Sequence, residues 1–192
     1  MEKPKIGKLI VFSAPSGAGK TTLVRYLMGE IPTLSFSVSA ASRKPRKNEI
    51  NGKDYFFLTV NEFKKKISDQ AFVEWEEVYK DHFYGTLLTE VERIRNDGHH
   101  VVFDVDVKGG INIKKRFGKD VLAVFVKPPS TEVLEQRLKD RATDSENDIL
   151  TRVKKAEEEL AFAPFFDVVI VNDDLDIAKK EVFNVVTEFI DR

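Results

Sequence analysis

The sequence predicts an α/β fold in which a parallel β-sheet is covered by helices on both faces. Short apolar runs rich in β-branched residues recur along the chain, and helix-like sequence follows each of them. The strand runs are continuously apolar, as expected for parallel strands buried on both faces. The length of 192 residues suffices for one compact domain with small insertions but is short for two independent domains.

Four strands and four helices follow from this alternation. The strands are predicted at 8–13, 100–105, 121–126 and 168–171, and the helices at 21–30, 110–117, 131–140 and 174–190. Two segments interrupt the pattern. Residues 36–84 mix short strand-like pieces with one helix, whose start is indicated by the capping-box pair Thr59 and Glu62. The charged segment from about 130 to 163 is a second insertion, with a helix restart at Ser145 and Asp148.

Composition excludes several classes of protein. There is no cysteine, which excludes a disulfide scaffold, a thiolate metal site and a cysteine nucleophile. Three histidines are too few to suggest a multi-histidine metal site, and a formal net charge of −1 argues against a general nucleic-acid binder. The sequence contains no apolar run of membrane-spanning length and no cleavable leader, so we expect a cytoplasmic protein without a membrane partner.

The segment APSGAGKT, residues 14–21, nearly matches the phosphate-loop pattern GxxxxGK[ST], with alanine at the first glycine. The segment lies between a predicted buried strand and a predicted helix. Phosphate binding requires this position, because the phosphate is held by backbone N–H groups of the loop and by the N-terminus of the helix. The motif predicts a P-loop NTPase-type sheet that binds ATP. The loop residues expected to contact ATP are Ala14, Pro15, Ser16, Gly17, Ala18, Gly19, Lys20, Thr21 and Thr22. Lys20 would hold the β and γ phosphates, and the Thr21 hydroxyl would ligate Mg²⁺.

A GTPase is the first alternative, because residues 106–109 read DVKG and match the short DxxG pattern. The guanine-reading sequence NKxD does not occur; residues 51–54 read NGKD, in the wrong order. DxxG alone is weak evidence, and the GTPase interpretation fails.

Several further segments, in order along the chain, resemble guanylate kinase. They are FSVS at 36–39, RKPR at 43–46, NGKDY at 51–55, FVEW at 72–75, YGT at 84–86, DVD at 104–106, PPS at 128–130, LEQRL at 134–138 and FDVVIVND at 166–173. The resemblance covers nearly the whole chain. Ala41, in place of a usual hydroxyl, and Asn48, in place of a common glycine, depart from the family pattern without removing a charge or a reacting group.

The resemblance implies a single guanylate kinase-like domain that transfers the γ-phosphoryl group of ATP to GMP, and it leaves open whether dGMP also serves as acceptor. Its core would be 1–35, 87–126 and 164–192, its GMP-binding insertion about 36–86 and its lid about 127–163. It assigns the acceptor phosphate to Arg43, Arg46, Tyr55 and Tyr84, and the guanine to Ser39, Glu74 and Thr86. It assigns the transferring phosphates to Arg141 and Arg152, and the adenine to Asn172 and Asp173. No obligate protein partner is implied.

Some roles have plainer alternatives. Asp104 and Asp106 end a strand two residues apart and would order Mg²⁺ or, for Asp104, touch the acceptor; the alternative is solvation of a strand end. The basic run around Arg43 could be a solvated loop, and Arg137 a surface salt-bridge partner. Glu74 could face outward from its strand. For the whole chain, the alternative is a non-catalytic protein-binding module of the same fold, although Lys20, Thr21 and the arginines are intact.

Overall fold

The protein is described by a computed structural model that covers residues 6–140 and 146–192. The chain forms two compact units. Among the described residues, one unit comprises 9–34, 103–140 and 146–192, and the other comprises 6–8 and 35–102. Within the described ranges, no helix is both long and apolar enough to cross a bilayer.

The elements alternate along the chain much as the sequence predicts. The strands are β1 (Leu9–Ser13), β2 (Leu34–Phe36), β3 (Ala40–Ala41), β4 (Phe56–Phe57), β5 (Phe72–Tyr79), β6 (His82–Leu87), β7 (His100–Asp104), β8 (Val121–Lys127) and β9 (Val168–Val171). The helices are α1 (Lys20–Glu30), α2 (Val60–Ser68), α3 (Leu88–Asn96), α4 (Val107–Phe117), α5 (Thr131–Asp140), α6 (Glu146–Leu160) and α7 (Leu175–Asp191).

The larger sheet has five strands in the order β2-β7-β1-β8-β9. Strands β1 and β8 pair in parallel from Leu9 with Val121 to Ser13 with Phe125, and β8 pairs in parallel with β9. All five residues of β1 are buried, which explains the apolar run from Leu9 to Phe12; the last residue, Ser13, is a buried hydroxyl. The predicted fold class, an α/β protein with a parallel sheet flanked by helices, is confirmed.

Helix α4 begins three residues earlier than predicted, at Val107 rather than residue 110. The Asp106 carboxylate caps it by accepting a hydrogen bond from the Gly109 N–H, 2.7 Å away. Helix propensity does not predict this start, because two of the first four residues are glycines and glycine is a poor helix former. Gly110 lies there because the helix packs closely: a Cβ on it would lie 2.6 Å from the Ser13 hydroxyl oxygen.

Helices α5 and α6 pack against each other through a small apolar core of their own. Leu134 and Leu138 of α5 contact Ile149, Val153 and Ala156 of α6. The predicted helix restart is present as α6, but Ser145, its expected cap, lies outside the described residues. This apolar packing joins α5 and α6, together called the α5–α6 hairpin, and it fixes the direction in which the polar face of α6 points.

The other unit has a four-stranded sheet in the order β4-β3-β6-β5, covered by α2. Its core is aromatic, with Phe63 stacked on Phe72 and Phe83 at centroid distances of 4.3 and 5.4 Å. The predicted capping box of α2 is confirmed. The Thr59 hydroxyl accepts from the Glu62 N–H at 3.2 Å, and the Glu62 carboxylate accepts from the Thr59 N–H at 2.7 Å.

Candidate active site

The loop between β1 and α1 requires glycine at two positions. Gly17 and Gly19 have φ angles of 94° and 97°, a left-handed conformation that disfavours side chains. Space is also lacking. A Cβ on Gly17 would lie 2.9 Å from Leu134 Cδ1, and one on Gly19 would lie 2.1 Å from Asn172 Nδ2. The loop is therefore fixed by backbone conformation and by the side chains packed behind it.

In front of the loop is a cavity of about 400 Å³, and eight of the nine predicted phosphate-loop residues line it. The exception is Ala18, whose side chain is buried. The cavity is bounded by Ala14, Pro15, Ser16, Gly17, Gly19, Lys20, Thr21, Thr22, Asp104, Val105, Asp106, Arg152, Lys155 and Glu159. Gly19 is also the N-cap of α1, so the positive end of that helix faces the same space. The cavity is suited to an anion.

Lys20 is a partly buried cation in this cavity. Its side chain is 19% exposed and its ammonium group forms an ion pair with the Asp104 carboxylate. Burial lowers the pKa of Lys20 to about 8, and the negative charges of Glu159 and Asp106 oppose the shift. A cation kept in a partly desolvated place binds phosphate strongly once an anion replaces the carboxylate.

Asp104 and Asp106 are held beside the loop by a buried hydroxyl. Ser13, the last residue of β1, donates to the carbonyl oxygens of Val105 at 3.2 Å and Asp106 at 3.0 Å. Asp104 thus lies against Lys20, whereas Asp106 caps α4 through Oδ1. Both carboxylates border the cavity, as predicted, but each also has a structural partner in this state.

The donor set fits a magnesium ion that arrives with a nucleotide. Among residues 6–140 and 146–192, no group of three or more His, Cys, Asp or Glu side chains could hold a metal ion alone. Mg²⁺ in phosphate sites is held by one or two protein oxygens, substrate phosphates and water. The Thr21 hydroxyl and the carboxylates of Asp104 and Asp106 border one cavity and could supply those oxygens.

Helix α6 contributes a row of charged side chains to the same cavity. Arg152 donates from Nη1 to the Ser16 hydroxyl at 3.1 Å, which joins the helix to the loop. Lys155 and Glu159 follow on the same helical face and were missed by sequence reasoning. Burial raises the pKa of Glu159. Their spacing from Arg152, three and seven residues, is the signal that could have found them.

The predicted adenine contacts lie at the end of β9. Asn172 is buried behind the loop, with its Nδ2 donating to the Ala18 carbonyl at 2.8 Å, while Asp173 is exposed. Arg137 is not a surface salt-bridge partner here: its Nη2 donates to the Asn172 carbonyl at 2.9 Å. Arg141, the remaining predicted catalytic arginine of this region, lies outside the described residues.

In the other unit, Arg43, Tyr55 and Tyr84 come together. Arg43 Nε donates to the Tyr84 hydroxyl at 3.2 Å, and its guanidinium carbon lies 5.0 Å from the centroid of the Tyr55 ring. The two tyrosine rings meet edge to face at 6.0 Å. The basic run is therefore more than a solvated loop at Arg43, whereas the Arg46 side chain is exposed.

A carboxylate that sequence reasoning did not select completes this cluster. Glu49 accepts from Arg43 Nη1 and Nη2, both at 2.6 Å, and from the Arg46 backbone N–H at 2.7 Å. These hydrogen bonds, first of all those from Arg43, hold the pKa of Glu49 at about 2. A carboxylate is thus already bound by the guanidinium of Arg43 and the backbone N–H of Arg46, and forked arginine donors of this kind also bind phosphate.

Glu74 and Thr86 are opposite one another on β5 and β6. The buried Thr86 hydroxyl donates to the Glu74 carboxylate at 2.8 Å, so this carboxylate is oriented rather than simply solvated. Ser39 directly precedes β3, whose Ala40 pairs with Gly85 between Tyr84 and Thr86. The predicted base-reading residues therefore lie on neighbouring strands.

This chain has the features of a P-loop protein that binds nucleotides: a parallel sheet, a glycine loop, a lysine at the end of that loop and a helix N-terminus facing the cavity. Comparison with known proteins narrows this class, because the family model described as guanylate kinase matches residues 6–189. The guanylate kinase of Bacteroides thetaiotaomicron is 53% identical over 190 residues, covering 99% of this chain and 93% of that protein. The guanylate kinase of Porphyromonas gingivalis is 48% identical over 184 residues, covering 95% and 98%. The crystal structure of guanylate kinase from Anaplasma phagocytophilum matches with a TM-score of 0.74 and 27% identity, covering 98% of this chain and 88% of that one. The chain belongs to the guanylate kinase family.

Proposed function

We propose that this chain transfers the γ-phosphoryl group of ATP to GMP by in-line displacement, with Mg²⁺ and arginine side chains stabilising the transferring group. Its family membership makes it an ATP:GMP phosphotransferase. The observation that carries the proposal is the glycine loop with the ammonium group of Lys20 partly buried at its cavity. We further propose a cytoplasmic enzyme whose partners are small-molecule nucleotides, ATP and GMP with dGMP as an alternative acceptor, without nucleic-acid, membrane or obligate protein partners.

The donor half of the reaction rests on the loop. Backbone N–H groups of the loop and the positive end of α1 would hold the phosphate chain of ATP, and Lys20 would move from Asp104 to the β and γ phosphates. Mg²⁺, held by Thr21 and phosphate oxygens near Asp104 and Asp106, would neutralise charge on the β and γ phosphates. Arg152, at the rim of the same cavity, is suited to charge that grows on the equatorial oxygens.

The acceptor half needs orientation but no general base. A phosphate monoester has its second pKa near 6 and is therefore already a dianionic nucleophile at neutral pH. Arg43, Tyr55 and Tyr84 would hold it, with Arg46 turning inward to join them. Guanine presents the N1–H and N2 amino donors side by side, which a carboxylate such as Glu74 accepts together; Ser39 and Thr86 would orient the base.

The division of the chain into working parts is also proposed. The core would comprise 1–35, 87–126 and 164–192, the GMP-binding insertion about 36–86 and the lid about 127–163. Support for a lid comes from the α5–α6 hairpin, which has its own apolar seam and carries Arg152. Closure of such a lid would exclude water and protect the γ phosphate from hydrolysis.

An acceptor panel on two matched proteins tests the proposed function. Wild-type protein with Mg·ATP should turn over GMP far faster than AMP, CMP or UMP in a coupled ADP-release assay. Glu74→Gln keeps the size of the side chain but loses the charge, and we expect GMP selectivity to fall by about 1–3 kcal/mol, as for other bidentate base contacts. Equal wild-type turnover of AMP and GMP would reject the acceptor assignment. Absence of turnover with all four would favour the non-catalytic module.

The lowered pKa of Lys20 predicts proton uptake when ATP binds. Above pH 8 the ligand-free ammonium group is largely neutral, because its pKa is about 8. Phosphate stabilises the charged form and raises that pKa, so binding near pH 8.5 should take up protons and weaken as the pH rises further. Calorimetry of Mg·ATP binding in two buffers of different ionisation enthalpy measures the uptake. Lys20→Met should abolish it, and unchanged uptake in this variant would exclude Lys20 as its source.

A further inference from the structure

We propose that Asn172 is a positioning residue, whose buried side-chain amide holds the phosphate loop in its nucleotide-binding conformation. This inference rests on the proposed function only in taking ATP as the ligand of the loop. It also differs from the role expected from the sequence, which was contact with the adenine. Asn172 is 5% exposed and its Nδ2 donates to the Ala18 carbonyl at 2.8 Å.

The geometry of a peptide unit explains how this contact acts on the cavity. The carbonyl of Ala18 and the N–H of Gly19 belong to one planar trans peptide, and they point in opposite directions. Drawing the carbonyl towards Asn172 therefore turns the Gly19 N–H to the other side, and Gly19 lines the cavity. Without the amide donor, this peptide is free to rotate and to withdraw an N–H from the bound phosphates.

Asn172 is itself anchored on both sides. Its backbone N–H donates to the Lys127 carbonyl at the end of β8 at 2.8 Å, and its carbonyl accepts from Arg137 of α5 at 2.9 Å. The side chain also fills the space behind Gly19, where a Cβ would lie 2.1 Å from Nδ2. Asn172 thus connects the loop both to the sheet and to α5.

The other side-chain atom of Asn172 argues that the donor is what matters. Within the described residues, Oδ1 is buried and has no hydrogen-bond partner. An unsatisfied buried acceptor destabilises a fold, and an apolar side chain of the same shape would avoid that cost. Packing alone therefore favours an apolar side chain at this position, whereas the amide adds the hydrogen bond from Nδ2 to the loop.

Binding measurements on Asn172→Leu, with Ile170→Ala as control, test the proposal. Leucine has nearly the same shape but no donor, whereas Ile170 is a fully buried neighbour on β9, outside the loop contacts. Calorimetry with Mg·ATP and with inorganic tripolyphosphate, both without acceptor, reports on the loop whether or not GMP is the substrate. We expect Asn172→Leu to weaken both ligands at least tenfold, with KM for GMP within twofold of wild type. Ile170→Ala should lower Tm while leaving both affinities within twofold.

Three outcomes would overturn the proposal. Affinities of Asn172→Leu within twofold of wild type would show that the amide does not act on the loop. A tenfold loss for ATP with unchanged tripolyphosphate binding would assign Asn172 to the adenine instead. If Ile170→Ala lost as much affinity for both ligands at the same fall in Tm, the effect of Asn172→Leu would be explained by lower stability of the fold. Should leucine prevent folding, Asn172→Ala removes the same donor and is measured in the same way.

Discussion

Arg152→Ala is expected to lower kcat with ATP and GMP by at least about 10³-fold, because an arginine placed on a transferring phosphoryl group is worth roughly 10³–10⁵ in rate. Arg152 lies at the cavity rim and donates to the Ser16 hydroxyl, so its guanidinium is already at the phosphate loop. Its charge should matter most in the transition state, and we therefore expect kcat to fall far more than KM for ATP rises.

Single-turnover and steady-state assays measure this loss. Arg152→Lys is the informative partner variant, since it keeps the charge but loses the planar fork, and it should recover only part of the rate. Lys154→Ala, which removes an exposed cation two residues further along α6, is the control and should keep wild-type activity. A kcat within tenfold of wild type in Arg152→Ala would show that Arg152 serves the loop only as a surface contact.

Lys20→Ala should leave the fold intact and lower kcat by about 10²–10³-fold, the usual cost of removing one preorganised electrostatic group from an active site. The fold should survive because Lys20 is a desolvated cation whose burial lowers its pKa, so its charge is a cost to the ligand-free protein rather than a support. Asp104 then loses its ion-pair partner but is still partly exposed and can be hydrated.

Circular dichroism, Tm and coupled turnover measurements test both halves of that expectation. Lys180→Ala, an exposed lysine of α7, is the matched control for loss of a positive charge. Wild-type turnover in Lys20→Ala would remove the loop from the chemistry altogether. Loss of the folded structure in Lys20→Ala would instead mean that the ion pair with Asp104 stabilises the ligand-free protein by more than the burial of the ammonium group destabilises it.

The fold was predictable where local sequence and tertiary burial agree. β1 is apolar from Leu9 to Phe12, where the sheet buries it, and α2 begins with both partners of its capping box. Helix α3 and strand β6 were not predicted, because they follow one another directly, from His82–Leu87 into Leu88–Asn96, without a glycine or proline to mark the boundary. The start of α4 was placed too late because close packing on Ser13 selects glycine there.

The candidate site was predictable where a motif fixes the chemistry, as in the loop from Ala14 to Thr22. Roles that depend on distant contacts were not. Nothing in the sequence around Glu49 indicates that it binds Arg43, yet it accepts two hydrogen bonds from that guanidinium. Asn172 carries no local sign that its amide reaches a loop 154 positions earlier in the chain. Such contacts follow from the fold, and no spacing rule along the sequence encodes them.

The leucines of α5 have a consequence for which substitutions this chain can tolerate. Leu134 and Leu138 fill the seam of the hairpin, and the same two side chains approach Gly17 so closely that one added carbon there would collide with them. Their volume is thus limited from two directions at once. A larger residue would push on the loop, and a smaller one would open a gap beneath it. Substitutions at Leu134 and Leu138 should therefore change the affinity of the phosphate loop for ATP as well as the stability of the fold.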